Sequence, residues 1–377
     1  MSEQVPKRST GHRSTTRLRV ALAAVAAVVV AALAPVSTAD TDATVGSLDT
    51  SMVEMLGTVD SAGAVTMAEL RLMIANSSQV TTAGQGIDVA VIDTGVAPVA
   101  GLDDEGKVLH GPDLSFEGSS PEAAYLDTYG HGTHMAAIIA GQRADAPGIA
   151  PGARIVSVKV AGHDGITTVP QVVAAIDWVV EHRNTDGLNI RVLNLSLGQA
   201  GVSTHVGDYL SAAVERAWDA GIVVVVAAGN RGESQSHLDS PAIDPYVISV
   251  GAVEPSLLPS YGYEGTVPAW SATGNGKRNP DAAAPGRSIA SYRVPGSTID
   301  SLVPEARYGD DLFLGSGTSQ AAAVTSGVVA AMLQYHPEYT PDRVKATLEY
   351  RANEIDPLSE IKDGEGAVDG VYSVVYN

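Results

Sequence analysis

The feature that most restricts the fold is a series of short apolar runs recurring along the chain. They read IDVAVID at 87–93, RIVSVKV at 154–160, RVLNLSL at 191–197, IVVVVAAG at 222–229 and YVISVGAV at 246–253. Several are apolar almost throughout rather than on alternate residues, as strands covered on both faces must be. Helical patterns lie between them, at His131 to Ala140, Val169 to Glu181 and Tyr209 to Ala220. Strand, helix and strand at this spacing read as right-handed crossovers on a parallel sheet. Two more helices are expected near the C-terminus: Ser319 to Tyr335, and one opened by Thr340 as N-cap with Pro341 in its first position. No repeat or linker interrupts the pattern after residue 80, so a single α/β domain is expected over 81–377.

The first 39 residues behave differently. Lys7, Arg8, Arg13, Arg17 and Arg19 precede an uncharged apolar run from Val20 to Ala34, followed by Pro35 and the small residues Ser37-Thr38-Ala39. That is the pattern of a signal peptide cleaved after Ala39. The run is shorter than the roughly 18 to 20 residues that span a bilayer, so export without a retained membrane anchor is expected. Residues 40–80 form a short N-terminal segment, a candidate remnant of a pro-region, with an amphipathic stretch near Val65 to Ala75.

The whole chain carries a formal charge of −20. Removing the leader takes five basic residues and one acid, Glu3, and leaves an exported protein that is more acidic still. Such a balance argues against nucleic acid or anionic membrane as partners, since both are bound through cationic patches. With no cysteine there is no disulfide framework and no thiol chemistry. Stability must then come from the core, with structural calcium conceivable but assigned to no residues.

Three segments carry reactive side chains on tight turns. AVIDTGV leaves Asp93 at a strand end. YGHGTH places His131 at a helix start between Gly130 and Gly132, which let the chain approach closely and aim the ring outward. LGSGTSQAAAVTSG places Ser319 at the start of a helix of small residues, behind Gly315 and Gly317. Serine is a weak nucleophile that needs a base within hydrogen-bond reach, and the base needs a carboxylate to fix its tautomer. A helix start adds free N–H groups for an oxyanion. Singly, each residue reads as a cap or a satisfied core group; together, in the order Asp, His, Ser, they read as a triad.

The segments VIDTGV, HGTHMAAIIAG, GIAPGARI, VLNLSLG, VVAAGN and GTSQAAA, taken in order, resemble the signature stretches of the subtilase superfamily of serine proteases. The resemblance implies a three-layer subtilisin-like fold with a mostly parallel sheet of about seven strands flanked by helices. It also implies hydrolysis of polypeptides by an exported, monomeric endopeptidase whose chemistry requires no cofactor. On it, Ser319 is the nucleophile, His131 the general base and then acid, Asp93 its orienting partner, and Asn230 the side-chain oxyanion donor beside the Ser319 backbone N–H. Ser196, Leu197 and Gly198 match the strand that pairs with substrate backbone, and Ala227, Ala228 and Gly229 the opposite wall of the S1 pocket.

His134, one helical turn after His131, reads as a buried support; a zinc pair would space its histidines four apart around a glutamate. Asp239, just before Ser240-Pro241, either floors the S1 pocket and favours Lys or Arg at P1, or is a solvated loop residue or an Asx-turn before proline, leaving a broad apolar-preferring pocket. The second reading is favoured. The chain also departs from the family pattern: Gln320 stands where a Met is usual and Ala323 where a Pro is. The short GQRADAPG replaces the insertion that in many relatives binds calcium. Two rivals are an exported, catalytically weak peptide-binding protein of the same fold, and a nucleotide-binding α/β protein. The latter fails for want of G-x-G-x-x-G or a Walker loop.

Overall fold

The strand from Asp88 to Asp93 is buried at every position, so it must be covered on both faces, and the remaining strands are laid down on either side of it. The computed structural model describes residues 47–48, 63–75, 83–255, 265–353, 355 and 360–370, all within one unit, Val45–Asn377. Residues 1–39, read above as a signal peptide, lie outside the described residues.

In chain order the elements are β1 (Ser47–Leu48), β2 (Val65–Thr66), α1 (Met67–Ala75), β3 (Asp88–Asp93), β4 (Val108–Asp113), α2 (His131–Ala140), β5 (Arg154–Lys159), β6 (Thr167–Thr168), α3 (Val169–His182) and β7 (Ile190–Leu195). They continue with α4 (Tyr209–Asp219), β8 (Val223–Ala227), β9 (Ile248–Pro255), β10 (Gly265–Thr266), β11 (Ala282–Pro285), β12 (Ile289–Tyr292) and α5 (Thr298–Leu302). The last are β13 (Arg307–Tyr308), β14 (Leu312–Gly315), α6 (Thr318–Tyr335), α7 (Pro341–Arg351) and α8 (Glu360–Asp363).

Strands β4, β5, β3, β7, β8 and β9 lie side by side in that order, with β11 beyond β9, and every one of these pairings is parallel. The short β10 adds an antiparallel pair at the end of β9. The predicted sheet of about seven strands is therefore present, with a small antiparallel addition. Two of its members escape the apolar-run pattern. β4, VLHGPD, is a half-exposed edge strand containing Gly-Pro, and β11 is only AAAP. Strand order reverses around β3, with β5 on one side and β7 on the other, and a crevice forms beyond the carboxyl ends at such a point.

Helix α6 has 18 residues and no charged side chain, and it is buried from Thr318 to Leu333. A helix with no polar face belongs in an interior; α6 packs along β7, β8, β9 and β11 and against α2. Gly327 permits this closeness, since a Cβ there would come within 2.6 Å of the Ile149 Cβ. Helices α3 and α4 pack on each other and on β3 and β8. Their starts are capped by side chains: Thr168 and Gln171 form a capping box, and Asp208 accepts from the Ser211 N–H at 2.8 Å.

The folded region begins ahead of residue 81. Val65 and Thr66 pair in parallel with Ile289 and Ala290, and Met67, Leu70 and Ile74 enter the main core. Thr66 and Glu69 cap the helix reciprocally, with the Thr66 N–H reaching Glu69 at 2.8 Å and the Glu69 N–H reaching Thr66 Oγ1 at 3.2 Å. This strand completes a second sheet in the order β13, β14, β12, β2, and β14 runs directly into the turn before α6. Further upstream, β1 pairs antiparallel with β6.

Candidate active site

Asp93 closes β3 at the crevice, 2 % exposed. His131 is the first residue of α2, and Gly130 takes the left-handed φ of 109° that swings the chain into that helix. Gly132 has no room for a side chain: a Cβ there would collide with the Gly95 carbonyl and lie 3.2 Å from Asp93 Oδ1. That closeness lets His131 Nδ1 donate to both Asp93 oxygens, at 2.8 and 2.9 Å. Nε2 is thereby left as the basic nitrogen. Burial works against a charged imidazole here, but the Asp93 carboxylate, with the charge of Asp127 behind it, outweighs that effect and raises the His131 pKa above its ordinary value.

Sequence reasoning passed over Asp127, although it stands four residues before His131. It is buried, and its oxygens accept from Thr94 Oγ1 at 2.8 Å, Gly130 N at 2.6 Å, Thr133 N at 2.8 Å and Thr133 Oγ1 at 2.6 Å. Thr94 Oγ1 in turn accepts from Gly132 N at 2.9 Å, and the Thr94 N–H donates to Asp93 at 2.7 Å. One carboxylate thus gathers the strand end that carries Asp93 and the helix start that carries His131. Below them the ammonium of buried Lys159 donates to Thr94 O at 2.8 Å and pairs with Glu117 at 3.1 Å. His134 is the expected support: Nε2 donates to Phe313 O at 3.1 Å, and burial above all pushes its pKa down to about 4.

Ser319 is the second residue of α6, 7 % exposed. Its hydroxyl donates to Ser196 O at 3.1 Å, while Ser196 Oγ donates back to Ser319 O at 3.0 Å. No hydrogen bond among the described residues joins Ser319 to His131. Asn230, just past β8, is oriented by Thr318: its Oδ1 accepts from Thr318 N and Thr318 Oγ1, both at 2.9 Å. With the oxygen so engaged, the Asn230 amide NH₂ is the group left for the crevice. His131, Ser319 and Asn230 line one cavity.

The two expected walls lie beside this cavity. Ser196 and Leu197 are buried and Gly198 is half-buried, following β7. The backbone groups of Leu197 and Gly198 pair with no described residue. Ala227 ends β8 and Ala228 and Gly229 follow it, with Ala227 and Ala228 buried. Asp239 is not the solvated loop residue that is one form of the favoured expectation. It is 4 % exposed and sits against both walls, its Cβ 2.9 Å from where a Gly198 Cβ would lie and its Oδ2 2.5 Å from that of Gly229. Nor is it a lone charge for a basic P1 side chain, because it holds Gln235 Nε2 at 2.8 Å and Arg231 Nη1 at 3.3 Å.

The short turn after α2 is tied down by Arg143. Its N–H donates to Tyr292 Oη at 2.8 Å and its guanidinium pairs with Asp145 at 2.6 Å and Asp311 at 3.2 Å. Among the described residues no three His, Asp or Glu side chains are grouped to hold a metal ion. None of their helices is long and apolar enough to cross a membrane.

Residues 84–371 match the subtilase family. The chain is 36 % identical to the serine protease AprX of Bacillus subtilis over 305 residues, which is 78 % of this chain and 67 % of AprX. It is 33 % identical to the extracellular serine proteinase of a Thermus species over 272 residues, 72 % of this chain and 56 % of that one. Among solved structures it resembles fervidolysin from Fervidobacterium pennivorans, a keratinolytic enzyme related to subtilisin. That match has a TM-score of 0.62 and 30 % identity, and covers 78 % of this chain and 43 % of fervidolysin. The chain therefore spans only part of each relative's length, and it belongs to the subtilase family of serine endopeptidases.

Proposed function

We propose that this subtilase is an exported endopeptidase that cleaves polypeptides through a covalent acyl-enzyme on Ser319. The observation that carries the reading is the buried Asp93–His131 pair, at 2.8 Å, opening onto the cavity that Ser319 and Asn230 also line. A substrate strand lies between the unpaired backbone of Leu197–Gly198 and the wall at Ala227–Gly229. The Ser319 hydroxyl turns from Ser196 O to His131 Nε2, gives up its proton and attacks the scissile carbonyl. The oxyanion that forms is held by the Asn230 amide and the Ser319 backbone N–H, groups fixed in place before the reaction begins. His131, now protonated and stabilised by Asp93, passes its proton to the departing amine. Water then repeats the sequence on the ester and frees Ser319. Every group in this cycle belongs to the chain, so no cofactor is called on, and one protomer carries the whole site.

One observation favours a second reading, a weakly catalytic peptide-binding protein: the Ser319 hydroxyl is engaged by Ser196 O rather than by the base. A fluorophosphonate probe decides between them. The expected result is labelling of wild type and hydrolysis of casein, both lost in Ser319→Ala with its circular dichroism unchanged. A folded wild type that neither labels nor hydrolyses is the peptide-binding protein instead. For export, material recovered from the culture medium begins near Asp40; an N-terminus at Met1 removes that part of the proposal.

A further inference from the structure

Two buried polar groups at the reaction centre have no part in the cycle described above. Gln320 follows the nucleophile and is 5 % exposed, yet its Oε1 meets no hydrogen-bond partner among the described residues. Tyr129 is 1 % exposed, and its Oη is likewise unpartnered. Burial pushes the Tyr129 pKa up to about 12, so the phenol keeps its proton and is a donor. Both residues line the cavity shared by His131, Ser319 and Asn230. Buried polar groups are almost always satisfied, and two unsatisfied ones in one cavity beside a nucleophile point to a group that arrives from outside.

The side of the nucleophile on which this cavity lies follows from the chemistry. The acyl half of the substrate rests on Ser196–Gly198 and Ala227–Gly229, none of which lines the cavity. The departing amine must lie where His131 can protonate it, and His131 forms part of the cavity wall. The cavity therefore receives the residue that follows the scissile bond. It is small, about 30 Å³, room for one or two water-sized groups. Glycine at 315 keeps that space in its present form, since a Cβ there would come within 2.5 Å of Gln320 Nε2 and 3.0 Å of the His134 ring.

We propose that Gln320 and Tyr129 select a small hydroxylated side chain, serine above all, at the position immediately after the scissile bond. One hydroxyl satisfies both groups at once: its oxygen accepts from Tyr129 Oη, and its proton goes to Gln320 Oε1. Alanine fits but leaves both unpaired, and leucine is too large for the cavity. The proposal rests on the proteolytic reading of the same site.

The test uses internally quenched peptides of one sequence in which only the residue after the cleaved bond varies: Ser, Thr, Ala, Val, Leu. They are cleaved by wild type, Gln320→Leu and Tyr129→Phe. The readout is the Ser/Ala ratio of kcat/KM within each protein, so a general loss of activity cancels. Two neutral hydrogen bonds predict a ratio of about tenfold in wild type, falling toward about threefold or less in each variant. A second measurement avoids cleavage altogether. Acyl-enzyme formed from a p-nitrophenyl ester is partitioned between water and added serinamide or alaninamide, and serinamide is the better acceptor for wild type only. A wild type that labels with fluorophosphonate but treats Ser and Ala alike overturns the proposal, as expected if the cavity simply holds water. A serine preference that persists undiminished in both variants overturns it too. A wild type that neither labels nor cleaves refutes the proteolytic reading instead.

Discussion

The acid–imidazole half of the site and the nucleophile half are finished to different degrees. Asp93 and His131 are joined directly at 2.8 Å, and Asp127 and Thr94 stitch together the two segments that carry them. On the other half Asn230 is fixed by Thr318, but the Ser319 hydroxyl rests on Ser196 O, away from the base. The halves come from different strands and helices of the same two packed layers, one from the end of β3 and the start of α2, the other from just past the end of β8 and the start of α6. The contrast teaches that pre-organisation here resides in the groups that hold charge, while the nucleophile has a resting partner that a substrate strand beside Ser196 can displace. Catalytic hydrogen bonds of this kind commonly tighten only when substrate is bound.

Three substitutions test that contrast. Asp93→Asn has the largest effect, because an amide facing Nδ1 favours the wrong tautomer: kcat falls by about 10⁴ with the fold intact. Steady-state kinetics on a peptide anilide measure it, and a loss smaller than that from the next variant reverses the ranking of the two halves. Asn230→Ala removes the pre-set donor on the nucleophile side, and kcat falls by about 10² to 10³, the size already known for such donors in subtilisin, with KM little changed. An equal rise in KM instead assigns Asn230 to ground-state binding. The smallest effect is expected from Asp127→Asn. The charge of Asp127 helps raise the His131 pKa, and the base works only when deprotonated. Removing the charge lowers that pKa and moves the acid limb of kcat/KM to lower pH, by less than about one unit. A limb that stays in place or moves upward rules out Asp127 as an electrostatic contributor.

Much of this was legible in the sequence, for identifiable reasons. Helix α2 begins and ends where the pattern from His131 to Ala140 predicts, and Thr340 caps α7 by accepting from Arg343 N at 3.3 Å. Both are local signals. The five central strands carry enough consecutive apolar residues to announce double-sided burial, but β4 and β11 do not. Their places are set by neighbours, Ile155–Ser157 for one and Val250–Val253 for the other. The same holds in the site. Glycine-framed turns expose Asp93, His131 and Ser319 to sequence reasoning, whereas Asp127 differs from any loop aspartate only through four donors that converge on it in space. The burial of Asp239 depends likewise on two glycines, Gly198 and Gly229, brought together from different strands. The amphipathic stretch at Val65 to Ala75 was visible, but its partners at Ile289 and Ala290 lie most of a chain length away.

That last pairing bears on how the protein is made. A chain emerging from the ribosome displays Asp93, His131 and Asn230 long before Ser319, and the sheet that leads to Ser319 needs β2 from one end of the fold and β12 and β14 from the other. Contacts so distant in sequence form late. On the function proposed above, a nascent chain therefore carries three of the four proposed catalytic groups before Ser319 has been made. On that reading, the order of residues along the chain itself delays the complete site until the strands nearest both ends of the fold have paired.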